Sequence, residues 1–214
     1  MDTLQTILDS GVIAIIRSDS DTGLLQTARA LSAGGVRALE VTMTTPGALE
    51  AIRSIAAQAG GQFVLGAGSV LDAEAARQAI EAGAQFLVSP GTDLGVIQTA
   101  KRLGKVVLPG ALTPTEVITA WNAGADLVKI FPASLGGPDY IKALRAPLPQ
   151  VRLVPVGGVE VANAAAYIRA GAAAVAMGGS LVNAKLIAAG AWDQIAQAAR
   201  AALQAVASAR SSWR

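Results

Sequence analysis

The sequence predicts a single short-loop (β/α)8 barrel domain over residues 1–214, a fold class indicated by a recurring unit and by composition. In the recurring unit a helix-like segment ends at a glycine and a short β-branched run follows. It appears as Ala33-Gly34-Gly35 before VRALEVT, Ala82-Gly83-Ala84 before QFLVSP and Leu103-Gly104 before KVVLPG. It returns as Ala123-Gly124-Ala125 before DLVKIFP and Ala170-Gly171-Ala172 before AAVAMGG. Glycine just past a helix adopts the left-handed conformation at little cost, so each unit reads as a helix stopping before a strand. The composition is 52% hydrophobic and 15% charged, with few aromatics, which suits strands buried on both faces beneath alanine-rich helices.

Taken in order, the expected strands are 12–17, 36–42, 63–66, 86–89, 106–109, 127–131, 152–156 and 174–177. The expected helices are 22–33, 46–59, 73–82, 94–103, 114–123, 139–144 and 163–170, with a last one from about 191 to 207. The opening MDTLQTILDS is acidic and helix-like, unlike a signal peptide. The closing SARSSWR reads as a frayed terminus. Strict alternation implies parallel strands joined by right-handed crossovers, and eight such units favour closure into a barrel over the competing open, doubly wound sheet.

Composition also excludes chemistry. With no cysteine there can be no disulfide or thiolate, and with no histidine no Ser-His-Asp triad or histidine zinc site. Proton transfer falls to carboxylates, lysine, tyrosine or the substrate. A net charge of +2 without a basic cluster argues against nucleic acid. Every apolar run is broken well short of the roughly 20 residues of a membrane span. The expectation is a cytoplasmic enzyme acting on small molecules, with no metal and no organic cofactor.

Barrel active sites gather at the C-terminal ends of the strands. Here those ends carry Arg17, Glu40 with Thr42 and Thr44, Ser69, Ser89 and Pro90, Pro109, Lys129 with Phe131, Gly157-Gly158 and Gly178-Gly179-Ser180. Of the five lysines, Lys129 alone lies mid-strand, in Leu127-Val128-Lys129-Ile130-Phe131. Burial there lowers an ammonium's pKa, and a neutral amine can attack a ketone to form an imine. The competing reading is a lysine paired to a carboxylate for structure or for phosphate binding. Glu40, in an otherwise strand-forming stretch, is the candidate proton shuttle, against a salt bridge to Lys129 or Arg17. The glycine turns after the seventh and eighth expected strands suit a phosphate held by backbone N–H groups.

These segments carry a resemblance that runs from GVIAIIR at Gly11 to GGSLV at Gly178: LEVTMTTPGALEAIR, VLGAGSVLD, FLVSPG, LPGALTPTE, DLVKIFPAS, VPVGGV and GGS. Together and in this order they resemble the bacterial 2-keto-3-deoxy-6-phosphogluconate (KDPG) aldolase family, many of whose members also act as 4-hydroxy-2-oxoglutarate (KHG) aldolases. The resemblance implies a class I aldolase that cleaves KDPG to pyruvate and glyceraldehyde 3-phosphate, and KHG to pyruvate and glyoxylate, without a cofactor. It implies Lys129 as the Schiff-base lysine and Glu40 as the general acid/base. Ser69, where the family's GAGT segment has threonine, would lie by the pyruvate unit, with Phe131 and Pro90 lining that pocket. Gly157, Gly158, Gly178, Gly179 and Ser180 would hold the phosphate, and the assembly would be a homotrimer. One position departs from the pattern. Thr44 stands where many members carry the arginine that binds the substrate carboxylate, which leaves Arg17 as the nearest replacement. The alternatives are the 6-phosphogalactonate aldolase branch, an isomerase or epimerase using Glu40 without an imine, and a non-enzymatic binding module.

Overall fold

Short runs rich in Val, Ile, Leu and Ala become strands here because both of their faces are covered. In the computed structural model, which describes residues 2–211, α1 (Thr3–Ser10) precedes β1 (Val12–Ile16). Then follow α2 (Leu24–Ala33), β2 (Ala38–Thr42), α3 (Ala48–Gln58), β3 (Val64–Gly68), α4 (Ala73–Glu81), β4 (Phe86–Val88) and α5 (Leu94–Arg102). The second half holds β5 (Val106–Leu108), β6 (Gly110–Ala111), α6 (Pro114–Asn122), β7 (Val128–Ile130), α7 (Gly137–Arg145), β8 (Leu153–Pro155), α8 (Val161–Arg169), β9 (Val175–Met177), α9 (Ala184–Ala188) and α10 (Trp192–Ser211). In each recurring unit one glycine takes positive φ, among them Gly35 at 96°, Gly83 at 112° and Gly171 at 99°, whereas Gly34 stays right-handed at −75°. Helix starts are fixed by side-chain caps: Asp72, Asp93 and Thr113 accept from the N–H three residues on.

All strand pairs are parallel. One sheet runs β5-β4-β3-β2-β1-β9 and the other β6-β7-β8. A parallel bridge between Val156 and Ala176 joins the second sheet to the first, and only Pro109 separates β5 from β6. Proline has no N–H to donate, so the β4–β5 ladder ends at Leu108 and pairing with β7 resumes at Gly110. Among the described residues, no helix is long and apolar enough to cross a membrane.

Strand parity sorts the buried side chains into two clusters. One, including Val12, Leu39, Leu65, Val128 and Leu153, packs beneath the helices. The other takes alternate positions, among them Ile13, Ala38, Val64, Phe86, Leu127 and Val154, and α1 closes its strand-start end with Ile7. Glu40 follows Ala38 by two residues and Lys129 follows Leu127 by two, so both share the parity of this second cluster and sit above it at the strand ends.

Several boundaries depart from expectation. The third strand extends to Gly68 rather than Gly66, and the helix expected at 139–144 starts at Gly137, with a proline in its first turn where no N–H is required. The end expected to fray is helical through Ser211, while 212–214 lie outside the described residues. The Arg210 guanidinium anchors that helix by donating to the carbonyls of Leu8 (2.7 Å), Asp9 (2.9 Å) and Ala173 (2.9 Å).

Candidate active site

The strand ends open into a cavity of about 440 Å³. Its walls include Arg17, Glu40, Ser69, Pro90, Lys129, Phe131, Gly157, Gly158, Gly178, Gly179 and Ser180, eleven of the twelve site residues expected from the sequence. Thr44 is the exception: it is exposed, is absent from the cavity wall, and donates its hydroxyl to Thr42 (3.2 Å). The strand ends at Thr42, and the chain turns there as Thr45 N–H bonds back to the Thr42 carbonyl, so the alternation that would carry Thr44 inward stops two residues early. Ile15, Val156, Val159, Glu160 and Ala176 also line the cavity. Parity within β1 and β9 could have located Ile15 and Ala176; Glu160, beyond the Gly157-Gly158 turn, had no such signal. A second hollow, near the strand starts, has Arg29 and Arg37 as its charged residues, and both are exposed.

Lys129 is 7% exposed and lies in β7 between β6 and β8, its N–H bonded to the Pro109 carbonyl (2.9 Å). Its Nζ stands 4.6 Å from the centre of the Phe131 ring, where the ring's π face partly replaces lost water. Burial lowers its pKa from the ordinary lysine value. Glu40 opposes that effect and Arg17 adds to it. Glu40, in the middle of β2, is 3% exposed. Desolvation pushes its carboxyl up to about 7, although Lys129 and Arg17 both pull downward. Neither the Glu40–Lys129 pair nor the Glu40–Arg17 pair closes into a salt bridge, so the reading of a purely structural ion pair gains no support. Two groups therefore share one cavity with acidities moved toward neutrality, an arrangement suited to nucleophilic and proton-transfer chemistry.

Two further features frame this pair. Ser69 is the only non-glycine residue at positive φ (57°) among the described residues, a costly conformation held at the cavity wall. On the other side, Gly157 and Gly158 have successive positive φ values of 86° and 76°. Ser134 N–H donates to the Gly157 carbonyl (3.0 Å), Asn163 Nδ2 to the Gly158 carbonyl (2.9 Å), and Ser180 Oγ to the Val159 carbonyl (3.2 Å). The last bond ties the loop after β9 to the loop after β8.

The family model for KDPG and KHG aldolases matches residues 4–198. The chain belongs to this aldolase family. A 2-dehydro-3-deoxy-phosphogluconate aldolase from Treponema pallidum is 41% identical over 91% of this chain and 93% of its own. A 2-dehydro-3-deoxy-6-phosphogalactonate aldolase from Escherichia coli is 38% identical, over 81% of this chain and 85% of its own. The crystal structure of a KDPG aldolase from Legionella pneumophila, with pyruvate captured at low pH as a covalent carbinolamine intermediate, superposes with a TM-score of 0.83 at 28% identity. That match covers 94% of this chain and 98% of the other. The chain is thus an aldehyde-lyase of the aldolase type.

Proposed function

We propose that this enzyme is a class I aldolase whose Lys129 forms a Schiff base with the C2 ketone of KDPG, releasing glyceraldehyde 3-phosphate and pyruvate. The observation that carries the reading is a buried lysine of lowered pKa beside a buried glutamate raised to about 7, in one cavity at the strand ends. The neutral amine of Lys129 adds to C2, and loss of water gives an iminium ion. As Glu40 takes the C4 hydroxyl proton, directly or through water, the C3–C4 electron pair moves into the iminium and the aldehyde leaves. Glu40 then returns the proton to C3 of the enamine, and water hydrolyses the imine to free pyruvate. A carboxyl near pKa 7 is suited to both directions of that transfer at neutral pH.

The remaining roles follow from the cavity wall. Pro90 and Phe131 pack the pyruvate unit, and the Ser69 hydroxyl hydrogen-bonds to it. The phosphate lies at Gly157, Gly158, Gly178, Gly179 and Ser180; in support, the Gly179 N–H has no protein acceptor among the described residues. With Thr44 turned away, Arg17 binds the substrate carboxylate. A second reading for Arg17 has its own support: β1 neighbours β9, so Arg17 lines the cavity next to the strand followed by Gly179 and Ser180. Either anion would gain charge-assisted hydrogen bonds of about 1.5–3 kcal/mol. Arg17→Ala therefore raises KM about 10- to 100-fold. A rise shared with the unphosphorylated KHG marks the carboxylate, one confined to KDPG marks the phosphate, and an unchanged KM for both removes Arg17 from the site.

β5 and β6 form one strand interrupted at Pro109, and with the Val156–Ala176 bridge the two sheets close as an eight-unit barrel in a single domain over 1–214. The enzyme works in the cytoplasm as a homotrimer. The phosphogalactonate relative supports the C4-epimeric substrate as a second reading of specificity. Pyruvate release from KDPG, its C4 epimer and KHG, compared as kcat/KM for the wild type and Lys129→Met, tests the assignment. KDPG preferred and Lys129→Met inactive is the expected result; no turnover of any of the three refutes it.

A further inference from the structure

β3 ends on a glycine that its own backbone does not require. Gly68 has no positive φ, so alanine would meet no conformational penalty there. A glycine within a strand is in fact less favourable than alanine, because it gives up more backbone freedom on folding. The neighbours supply the reason. A Cβ built on Gly68 would lie 2.5 Å from Glu40 Oε1 and 3.0 Å from its Cδ, whereas its next contact, Thr42 Cγ2 at 3.5 Å, is ordinary. Other tight strand glycines make room for scaffold: Gly66 for the Phe86 ring and Gly110 for the Pro90 carbonyl. Gly68 makes room for the buried carboxyl of the cavity, that of Glu40. The register explains the contact. Glu40 pairs with Gly66 across β2 and β3, and a side chain leaning along its strand reaches the diagonal neighbour two residues on.

We propose that Gly68 is a positioning residue for the reaction, its missing side chain being the space that seats the Glu40 carboxyl against bare backbone. The inference rests on the reading of Glu40 as the proton shuttle. With alanine at 68 the carboxyl must withdraw by roughly half to one ångström, a displacement that can cost about 100-fold in a proton-transfer step. Gly68 itself touches no reacting atom.

The test is a double-mutant cycle on kcat for cleavage, using Gly68→Ala, Glu40→Asp and the pair. Aspartate draws the carboxyl back by one methylene, out of the space a Cβ at 68 would take. Gly68→Ala alone should lower kcat about 10- to 100-fold, with KM changed less than about threefold, and move the limb of the pH–rate profile that belongs to Glu40. In the Glu40→Asp background the same substitution should cost less than about threefold. Equal costs in both backgrounds, or an unchanged kcat in Gly68→Ala, would overturn the proposal. If Gly68→Ala does not fold, Glu40→Ala/Gly68→Ala should fold like Glu40→Ala; failure to do so places the clash elsewhere and also overturns it. Reductive trapping of pyruvate on Lys129 keeps the two readings apart. Loss of trapping in the wild type defeats the aldolase mechanism, whereas intact trapping with an additive cycle defeats only the role of Gly68.

Discussion

Replacing Glu40 with glutamine should make the protein more stable, by an amount that depends on pH. In the unfolded chain this carboxyl titrates at its ordinary value of 4.5, and in the fold at about 7. Between those values the folded protein still holds a proton that the unfolded chain has released, so raising pH through this window withdraws stability. At about 1.4 kcal/mol for each pH unit, the loss is complete above pH 7 and comes to roughly 3 kcal/mol. Glutamine keeps the shape of the side chain and cannot ionise. Glu40→Gln and wild type should therefore have similar stability near pH 4.5, with the variant gaining steadily to roughly 3 kcal/mol at pH 8. For a chain of this length that corresponds to about 6–12 °C in Tm. Urea melts of both proteins at pH 5, 6, 7 and 8, at one protein concentration, measure the gap. A gap that stays constant or narrows as pH rises would refute the claim that burial, rather than ion pairing, governs this carboxyl.

Lys129→Met should abolish turnover yet raise stability near pH 6, since it removes an ammonium that burial disfavours. The gain should fade toward pH 10.5, where the free amine is half neutral in the unfolded chain as well; thermal melts across that range check both parts. Arg210→Ala removes three hydrogen bonds that tie α10 to α1 and to the start of β9, and should cost about 2–4 kcal/mol in urea unfolding while leaving KM unchanged.

What could be read in the sequence was whatever depends on local rules. Glycine stops such as Gly83 and Gly171 follow from backbone sterics, and the mid-strand positions of Lys129 and Glu40 from a strand's two-residue period, so their common cavity was anticipated by eleven of twelve residues. What escaped depends on where a strand stops. Thr44 has the parity of Glu40, but β2 ends at Thr42 and Thr44 lies within the turn that Thr45 N–H closes back onto the Thr42 carbonyl. The two-residue β6 exists only because Pro109 interrupts a longer run, and α9 and the turn Ala133–Leu135 are too short to show a period. The need for glycine at 68 is a through-space constraint between β2 and β3 that no single-strand pattern contains.

The Schiff-base mechanism requires an imine on one particular nitrogen, that of Lys129. Incubation with pyruvate, reduction with borohydride and peptide mapping by mass spectrometry read it directly. A single reduced adduct per chain is expected, on the peptide containing Lys129, and none in Lys129→Met. No adduct, an adduct on Lys101, Lys105, Lys142 or Lys185 instead, or an adduct that persists in Lys129→Met would contradict it.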